Sequence, residues 1–370
     1  MNNEMFQNKI FLGPMAGVTD LPFRILCKEQ GADIMVTEMV SAKGLYYGSP
    51  KTDILLKTDE RERPVGVQLF GSDPEIMAEE AARILGRKYI PQNLSQDEFQ
   101  AKDQDELQVE LQDGNPDDSQ EMRPAKKNRR ELAIEPKDFD FIDINMGCPV
   151  PKVTKTGAGS HLMLNPKLCG DIIRALKSVT DKPITAKIRL GYNEVNFKEV
   201  IKELENAGVA AIGVHARTRK ELYSGLPHFD LLKDLRKEMS VPLMVSGNIY
   251  TLDDAINAIE ITGADAVMVA RGGVGNPFLI TQIKHYYETG ERLPNPSFLE
   301  QCDYCLALAR SMIEEKDEYT AMRIYRGIAP KFFQGFPNSR TLRTVLATSL
   351  TDYQSLVKII DEFKEEYMKM

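Results

Sequence analysis

Short runs of apolar and β-branched residues alternate with amphipathic stretches along the first three quarters of the chain. The apolar runs predict strands at 9–12, 33–37, 65–70, 141–145, 184–189, 211–215, 243–246 and 266–270. Between most of them, apolar residues recur at helical spacing, as at 76–85, 167–179, 197–207 and 252–262. Alternating strands and helices are typical of a parallel sheet, and eight such units favour a closed (β/α)8 TIM barrel over an open doubly wound sheet.

Two segments depart from this alternation. Residues 88–138 are rich in acidic residues and Gln, then in Arg and Lys, and lack periodicity, so we predict a polar, flexible insertion there. After Pro296 the strand patterns stop, and helical patterns follow at 298–315, 320–334, 339–347 and 353–369. We therefore predict an α/β catalytic barrel over 1–292, interrupted by that insertion, and a small all-helical domain over 297–370.

Composition places the chain among ordinary globular proteins, with 42% hydrophobic and 28% charged residues in 370. No apolar run approaches the ~18–20 residues that a membrane helix needs. The polar N-terminus lacks the apolar centre of a signal peptide, and the five cysteines are scattered. We therefore expect a reduced, cytoplasmic protein without a disulfide framework and without a membrane or stable protein partner.

The net charge of −8 conceals an uneven distribution. Residues 91–138 hold 13 acidic and 7 basic side chains, whereas 319–351 hold no acid at all. The five cations of that acid-free segment are Arg323, Arg326, Lys331, Arg340 and Arg343. A solvated helix face is the usual explanation for such a cluster, but the absence of any acid favours binding to a nucleic-acid backbone.

Residues typical of chemistry stand at the predicted strand ends, where the active sites of TIM barrels lie. They are Pro14, Met15 and Ala16; Glu38; Gln68; Asn145 and Cys148; Lys187 and Arg189; His215 and Arg217; Ser246, Gly247 and Asn248; and Arg271, Gly272 and Gly273. Core packing does not explain so many polar, Gly and Pro residues at these positions. They predict one composite site.

The glycines after predicted strands 7 and 8 predict a phosphate site, because they let backbone N–H groups approach a ligand closely. A plain tight turn is the alternative. No Gly-x-Gly-x-x-Gly follows an early strand, so the sequence does not support a Rossmann domain. A phosphorylated cofactor such as FMN fits better than a permanently bound NAD.

Lys187 and Arg189 are two positions apart on a strand and therefore share a face. An inward lysine needs an anion, which is either a carboxylate such as Glu38 or Asp143, or a cofactor. We expect Lys187 to support negative charge on a reduced flavin. His215 stands close to Arg217, which favours a shared anionic ligand, and the four histidines show no metal-ligand spacing, so we expect no metal.

Gly147 and Pro149 flank Cys148 at the end of strand 4. Its thiol is either inert, a nucleophile or a proton donor. A nucleophile requires a lowered pKa and a proton donor an ordinary one, and the residues alone do not decide among these roles. Cys302 and Cys305 form a single Cys-x-x-Cys pair within a helical pattern. Helix-core packing explains that pair better than redox or metal chemistry.

Taken together, these motifs closely resemble the tRNA-dihydrouridine synthases, with the bacterial B-type branch nearest. The motifs are Gly-Pro-Met-Ala-Gly-Val-Thr-Asp at 13–20, Asp-Ile-Asn-Met-Gly-Cys-Pro at 143–149, Lys-Ile-Arg at 187–189, His-Ala-Arg-Thr-Arg at 215–219, and Arg271. The resemblance covers about 8–88 and 139–368. It implies that NADPH reduces FMN and that FMN reduces selected uridines of tRNA to 5,6-dihydrouridine.

The resemblance also implies residue roles. Cys148 protonates C5 of the uracil while flavin N5 delivers hydride to C6, which selects the acid among the alternatives for this thiol. The residues implied to line FMN are Pro14, Met15, Ala16, Gln68, Lys187, His215, Ser246, Gly247, Asn248, Ala270 and Arg271. Asn145 and Arg189 hold the uracil, and we place Arg217 and the five cations of 319–351 with the substrate-binding residues.

The chain departs from the family pattern at two strand ends. It has Ser246-Gly247-Asn248 where Asn-Gly-Asp is common, and Ala270-Arg271 where Gly-Arg is common.

Two other functions stay open: a flavoenzyme acting on a free pyrimidine, like dihydroorotate dehydrogenases, and a non-catalytic RNA-binding protein. The sequence encodes neither the target uridine nor a preference for NADPH over NADH.

Overall fold

The computed structural model describes residues 6, 8–49, 52–87, 89 and 136–369. Most of the predicted insertion at 88–138 lies outside the described residues, so that prediction stays untested. The strands are β1 (Lys9–Leu12), β2 (Met35–Ser41), β3 (Val65–Phe70), β4 (Phe141–Asn145), β5 (Ile184–Arg189), β6 (Ala211–His215), β7 (Leu243–Ser246) and β8 (Ala266–Val269). All neighbouring strands pair in parallel, in the order β1-β8-β7-β6-β5-β4-β3-β2.

The sheet closes on itself between β1 and β2. Phe11 pairs in parallel with Ile34, just before β2, and the N–H of Leu12 donates to the carbonyl of Ile34 at 3.0 Å. Eight parallel strands closed in this way form a (β/α)8 barrel, as the sequence predicted.

The predicted position of strand 2, at 33–37, was wrong. The strand runs from Met35 to Ser41, and its pairing with β3 shifts register between Val36 and Met39. At the shift, the Thr37 hydroxyl accepts the N–H of Gln68 at 3.0 Å. Glu38, expected after the strand, therefore lies within it. A bulge of this kind interrupts the two-residue periodicity from which a strand is predicted.

The barrel interior has an apolar layer and a polar layer. Phe11, Val36, Phe141, Met244 and Met268 belong to one buried cluster inside the sheet. Gly66 makes room for this layer, because a Cβ there would lie 2.3 Å from the Phe141 ring. Two to four residues further along the strands, the same inward faces carry Gln68, Asp143, Asn145, Lys187, His215 and Ser246. The packed apolar layer closes one end of the barrel, and polar groups collect at the other.

The described helices surround the barrel and then follow it. They are α1 (Leu21–Glu29), α2 (Ala42–Tyr46), α3 (Pro74–Ile84), α4 (Pro151–Thr154), α5 (Pro166–Lys177), α6 (Phe197–Asn206), α7 (Leu235–Glu238), α8 (Leu252–Thr262), α9 (Phe278–Thr289), α10 (Phe298–Glu315), α11 (Glu318–Tyr325), α12 (Ser339–Thr348) and α13 (Tyr353–Tyr367). The predicted helix at 320–334 was wrong as one element. It ends at Tyr325, and Gly327 precedes a separate 3₁₀ turn at Ala329–Phe333 that contains Pro330. Gly and Pro disfavour a continuous helix here.

Helices α10 to α13 share an aromatic core. The Phe298 ring lies 4.2 to 5.8 Å, centroid to centroid, from the rings of Phe333, Phe336, Phe363 and Tyr367. Cys302 and Cys305 are buried on α10, as expected for packing residues. None of the described helices has the length and apolarity to span a membrane.

The helical segment formed by α10 to α13 sits directly against the barrel. Lys316 pairs with Asp20 at 2.5 Å, and Lys57 pairs with Glu315 at 2.7 Å. At Gly275, where φ is +81°, a Cβ would lie 2.4 Å from the carbonyl carbon of Lys331. Only a glycine permits this close approach of the loop after β8 to the 3₁₀ turn.

Candidate active site

A cleft opens at the carboxyl end of the barrel, at the polar layer. Its lining includes nine of the eleven residues expected to contact the cofactor: Pro14, Met15, Lys187, His215, Ser246, Gly247, Asn248, Ala270 and Arg271. Five of the eight strands supply this set, whereas Glu38, Gln68, Asn145 and Cys148, the candidates from β2, β3 and β4, do not line the cleft. Ala16 and Gln68 do not line the cleft.

Gln68 lies below the cleft in a buried chain of hydrogen bonds. Its Nε2 donates to Asp143 Oδ2 at 2.6 Å, and its Oε1 accepts from Asn145 Nδ2 at 2.9 Å. Thr185 Oγ1 donates to the other Asp143 oxygen at 2.6 Å. Burial raises the pKa of Asp143, and the two donors oppose that shift. Because Asp143 fixes which end of the Gln68 amide is the acceptor, it also fixes the orientation of Asn145.

Asn145 in turn holds the loop that carries Cys148. Its Oδ1 accepts the backbone N–H of Gly147 at 3.2 Å and of Cys148 at 2.8 Å. The Cys148 carbonyl accepts the N–H and hydroxyl of Ser160 at 3.0 and 2.9 Å. Burial raises the pKa of the half-buried Cys148 thiol, which is therefore protonated at neutral pH. This direction suits a proton donor and not a thiolate nucleophile.

Lys187 lies beside Asn145 in the strand register and lines the cleft. Burial is the main cause that lowers its pKa to about 8, and the positive charge of Arg189 adds to the effect. Asp143 is the carboxylate that opposes this shift, whereas Glu38 accepts the N–H of Val18 at 3.0 Å. Of Glu38 and Asp143, the two carboxylates that the sequence suggested as partners of Lys187, Asp143 is therefore the one that affects its pKa.

His215 is a neutral imidazole at the cleft. Burial lowers its pKa well below the usual value, and Lys187, Arg189, Arg217 and Arg271 add to the effect. Arg217 Nη1 approaches His215 Nε2 at 3.3 Å. Since a guanidinium only donates, Nε2 is the acceptor and Nδ1 carries the proton.

Arg189 and Arg217 are buried and bind backbone carbonyls. Arg189 donates Nε to Gly147 at 2.8 Å and Nη1 to both Thr218 and Leu222 at 2.8 Å. Arg217 has no exposed surface and donates to Ser224 at 2.9 Å and Gly225 at 2.6 Å. Both guanidinium groups thus fix the loop after β6 at the mouth, and this arrangement does not place Arg217 in the cleft.

Two tyrosines line the cleft that the sequence did not single out. The Tyr223 ring centroid lies 5.3 Å from Arg189 Cζ and 4.7 Å from Arg271 Cζ, and Tyr250 lies 5.5 Å from Arg271 Cζ. These distances are those of cation–π contacts. Each is a single tyrosine in the loop after a predicted strand, so the sequence contained little that would indicate a role at the site.

The cleft is electropositive and has an unused polar group. Asn248 Oδ1 accepts hydrogen bonds from the guanidinium groups of Arg217 and Arg271, both at 3.1 Å. The backbone of Asn248 lies in the left-handed region, with a φ of 49°. No Asp or Glu is among the described residues that line the cleft. The buried hydroxyl of Ser246 has no partner in the described part of the chain. A ligand with an anionic group and polar ring atoms fits this arrangement.

The five cations of 319–351 differ in their surroundings. Lys331 faces the barrel near Gly275, and Arg340 is exposed. Arg323 is exposed and lies 5.7 Å from the Tyr319 ring. Arg326 donates Nε to the Leu350 carbonyl at 2.7 Å, and Arg343 is half-buried with Nε unpartnered among the described residues. Arg326 thus already uses one of its nitrogens in a hydrogen bond within the helical segment.

Comparison with known proteins agrees with these motifs. The family model for dihydrouridine synthases matches residues 11–90 and 86–366. The tRNA-dihydrouridine synthase B of Pseudomonas aeruginosa is 32% identical over 338 residues, which are 91% of this chain and 87% of that protein. The enzyme of the same name from Shewanella oneidensis is 31% identical over 322 residues, covering 86% of this chain and 84% of that protein.

Solved structures show a weaker similarity. An old yellow enzyme homologue from Zymomonas mobilis has a TM-score of 0.42 and 14% identity, covering 79% of this chain and 91% of that chain. The fold assignment therefore rests on the strand order and register above. On the extent of the family match and the identity to its relatives, the chain belongs to the dihydrouridine synthase family.

Proposed function

We propose that this protein reduces uridines in tRNA to 5,6-dihydrouridine, with FMN as its bound cofactor and NADPH as reductant. The observation that carries the proposal is the protonated thiol of Cys148 at the same end of the barrel as the electropositive cleft. Family membership supports the same chemistry.

The cleft residues suit FMN. Arg271 and Asn248 line the cleft and carry N–H donors suited to a phosphate. Lys187 provides an ammonium whose pKa of about 8 rises when an anion binds. When bound, reduced FMN would supply the hydride for C6 of the uracil.

The proton for C5 would come from the Cys148 thiol. Burial keeps this group neutral, while the charges of Lys187 and Arg189 lower its pKa and so favour the thiolate left after proton transfer. The thiol therefore holds its proton until a strong carbon base is generated next to it. The Ser160 bonds to the Cys148 carbonyl keep the loop in place during the transfer.

Asn145 and Arg189 would set the geometry around the uracil. Asn145 positions the Cys148 loop through two N–H bonds, and Arg189 joins that loop to the Tyr223 loop. A uridine in folded tRNA must leave its stack to reach this depth, at a cost of a few kcal/mol. The exposed cations Arg323, Lys331 and Arg340 are suited to bind the backbone phosphates.

The test uses the purified full chain and tRNA from a strain that lacks dihydrouridine. We expect a yellow protein that releases FMN on denaturation and forms dihydrouridine with NADPH, measured by mass spectrometry of digested tRNA. Free uracil and dihydroorotate serve as competing substrates. A protein that takes up no FMN, or that turns over a free pyrimidine as fast as tRNA, would overturn the proposal.

A further inference from the structure

The loop that follows β1 contributes to the lining of the proposed FMN cleft. Pro14 and Met15 line that cleft, and the loop then turns back on itself before α1 begins at Leu21. Thr19 Oγ1 accepts the N–H of Met15 at 2.8 Å, and the Met15 carbonyl accepts the N–H groups of Val18 and Thr19, both at 3.0 Å. The position of Met15 therefore depends on where Thr19 is held.

Two carboxylates anchor this loop to its surroundings. Glu38 of β2 is buried, and its Oε1 accepts the N–H of Val18 at 3.0 Å. Asp20, which directly follows Thr19, caps the start of α1 through Oδ1. Its other oxygen, Oδ2, accepts from Lys316 Nζ at 2.5 Å. Because Lys316 lies at the end of α10, one of these two anchors reaches the loop from the helical segment and not from the barrel.

Lys316 is the cation that compensates the charge of Asp20. Both residues line a cavity of about 80 Å³ between the barrel and the helical segment, and Glu38 lines it too. The other two cations in the described lining already have carboxylate partners, which are Glu62 for Arg24 and Glu315 for Lys57. Burial raises the pKa of Glu38, and the negative charge of Asp20 adds to that shift. Loss of Lys316 would thus leave Asp20 uncompensated beside a second carboxylate.

We propose that Lys316 is a positioning residue for the flavin, because through Asp20 it holds the loop that lines the cleft. The helical segment then contributes to FMN binding itself. The inference rests on the proposed function, which takes this cleft as the FMN site, and extends it. The side chains of Lys316 and Asp20 are 16% and 23% exposed, so water screens the pair less than a fully exposed one. By reciprocity, bound FMN should stabilise the contact between the helical segment and the barrel.

Two variants remove the contact from either side, and a third keeps it. Lys316→Met removes the positive charge but leaves a long side chain, and Asp20→Asn removes the negative charge but leaves an acceptor for the α1 cap. Lys316→Arg keeps the charge and the donors. Glu315→Gln is the matched control, because it breaks the neighbouring ion pair of the same interface, with Lys57, and neither residue of that pair lines the FMN cleft.

The first measurement is the dissociation constant of FMN, from the flavin fluorescence that appears when the holoenzyme is diluted. Lys316→Met and Asp20→Asn should each weaken FMN binding about 5- to 20-fold, within the usual range for coupling between two sites. The double variant should bind FMN no more weakly than Lys316→Met alone, because both changes remove the same contact. Lys316→Arg and Glu315→Gln should change the constant less than about twofold. Thermal melting checks folding, and Asp20→Asn decides if Lys316→Met does not fold.

Two further readouts separate positioning of the flavin from simple docking of the helical segment. The absorption band of bound FMN should change shape in Lys316→Met and return to the wild-type shape in Lys316→Arg. The KM for tRNA at saturating FMN should stay within about twofold of wild type.

Wild-type affinity for FMN in Lys316→Met and Asp20→Asn would overturn the proposal. An equal loss in Glu315→Gln, or a KM for tRNA that rises together with the dissociation constant of FMN, would also overturn it, because loosening of the interface would then be sufficient. Failure of the proposed function is separate, since it would appear as wild-type protein that takes up no FMN or forms no dihydrouridine.

Discussion

The side-chain oxygen of Asn145 accepts the backbone N–H of Cys148 at 2.8 Å, while the amide nitrogen of the same side chain donates to Gln68 at 2.9 Å. Gln68 is itself oriented by Asp143. A buried carboxylate on β4 thus sets the orientation of two amides and, through them, the position of the candidate acid. The relay lies below the cleft, so its members act as positioning residues in the free protein.

Asn145→Asp tests this relay with almost no change of shape. The new carboxylate still accepts the Cys148 N–H but cannot donate to Gln68, and it adds a negative charge near Asp143. We expect turnover of tRNA to fall about 10- to 100-fold, in the range set by misplacing a catalytic group. FMN content, read from absorbance, should stay near wild type. Unchanged turnover would contradict a positioning role for this amide.

FMN binding should depend on pH through Lys187. Its pKa of about 8 in the free protein means that the ammonium is lost as pH rises through 8. An anionic ligand favours the ammonium, so FMN binding above that pH takes up a proton. The dissociation constant of FMN therefore rises with pH, with a slope that approaches about tenfold per pH unit. Fluorescence titration of FMN from pH 6.5 to 9.5 measures this. Lys187→Met should give a flat profile, and the same slope in the variant would contradict the assignment.

Arg271 should contribute strongly to FMN affinity. Its Nη2 donates to Asn248, and its guanidinium lies between Tyr223 and Tyr250 at the cleft. A charge-assisted hydrogen bond contributes about 1.5–3 kcal/mol, so Arg271→Ala should weaken FMN binding about 10- to 150-fold. Arg219→Ala is the control, because Arg219 lies over Tyr192 and does not line the cleft. Equal effects of the two variants would indicate a nonspecific charge effect.

Stability should depend on a buried ion pair that the sequence did not reveal. Arg24 and Glu62 are 2% and 0% exposed and meet at 2.6 and 3.1 Å, and Arg24 also donates to the Thr19 carbonyl at 2.9 Å. Breaking such a pair leaves an uncompensated charge and costs about 3–5 kcal/mol. Glu62→Gln should therefore lower the denaturation midpoint. Because Thr19 anchors the Met15 loop, FMN binding should weaken as well. A midpoint equal to that of wild type would contradict this account.

The barrel was predictable because its signals are local. Buried parallel strands are apolar runs, and the polar residues that interrupt them fall at strand ends, which converge in a closed barrel. The sequence therefore predicted that Lys187, His215 and Arg271 lie together, and all three line the same cleft. It misplaced β2 because the bulge at Thr37 depends on pairing with Gln68, which lies 31 residues away.

Side-chain partners were not predictable in the same way. Spacing placed Arg189 and Arg217 at strand ends, but their carbonyl partners belong to the loop after β6, whose path no periodic pattern encodes. Tyr223 lies on that same loop. Arg24 pairs with Glu62 across 38 residues, and neither residue belongs to a motif. Contacts between distant loops appear only once the chain is folded.

The central claim is that Cys148 donates the proton while FMN occupies the cleft. The direct measurement is single-turnover oxidation of NADPH-reduced protein by tRNA, followed by flavin absorbance. Cys148→Ala should bind FMN and accept electrons from NADPH as wild type does, yet react with tRNA about 10²–10⁴-fold more slowly, the usual contribution of a positioned acid. Cys302→Ala, a buried thiol of the helical segment, should react normally. Reaction of Cys148→Ala with tRNA at the wild-type rate would contradict the account.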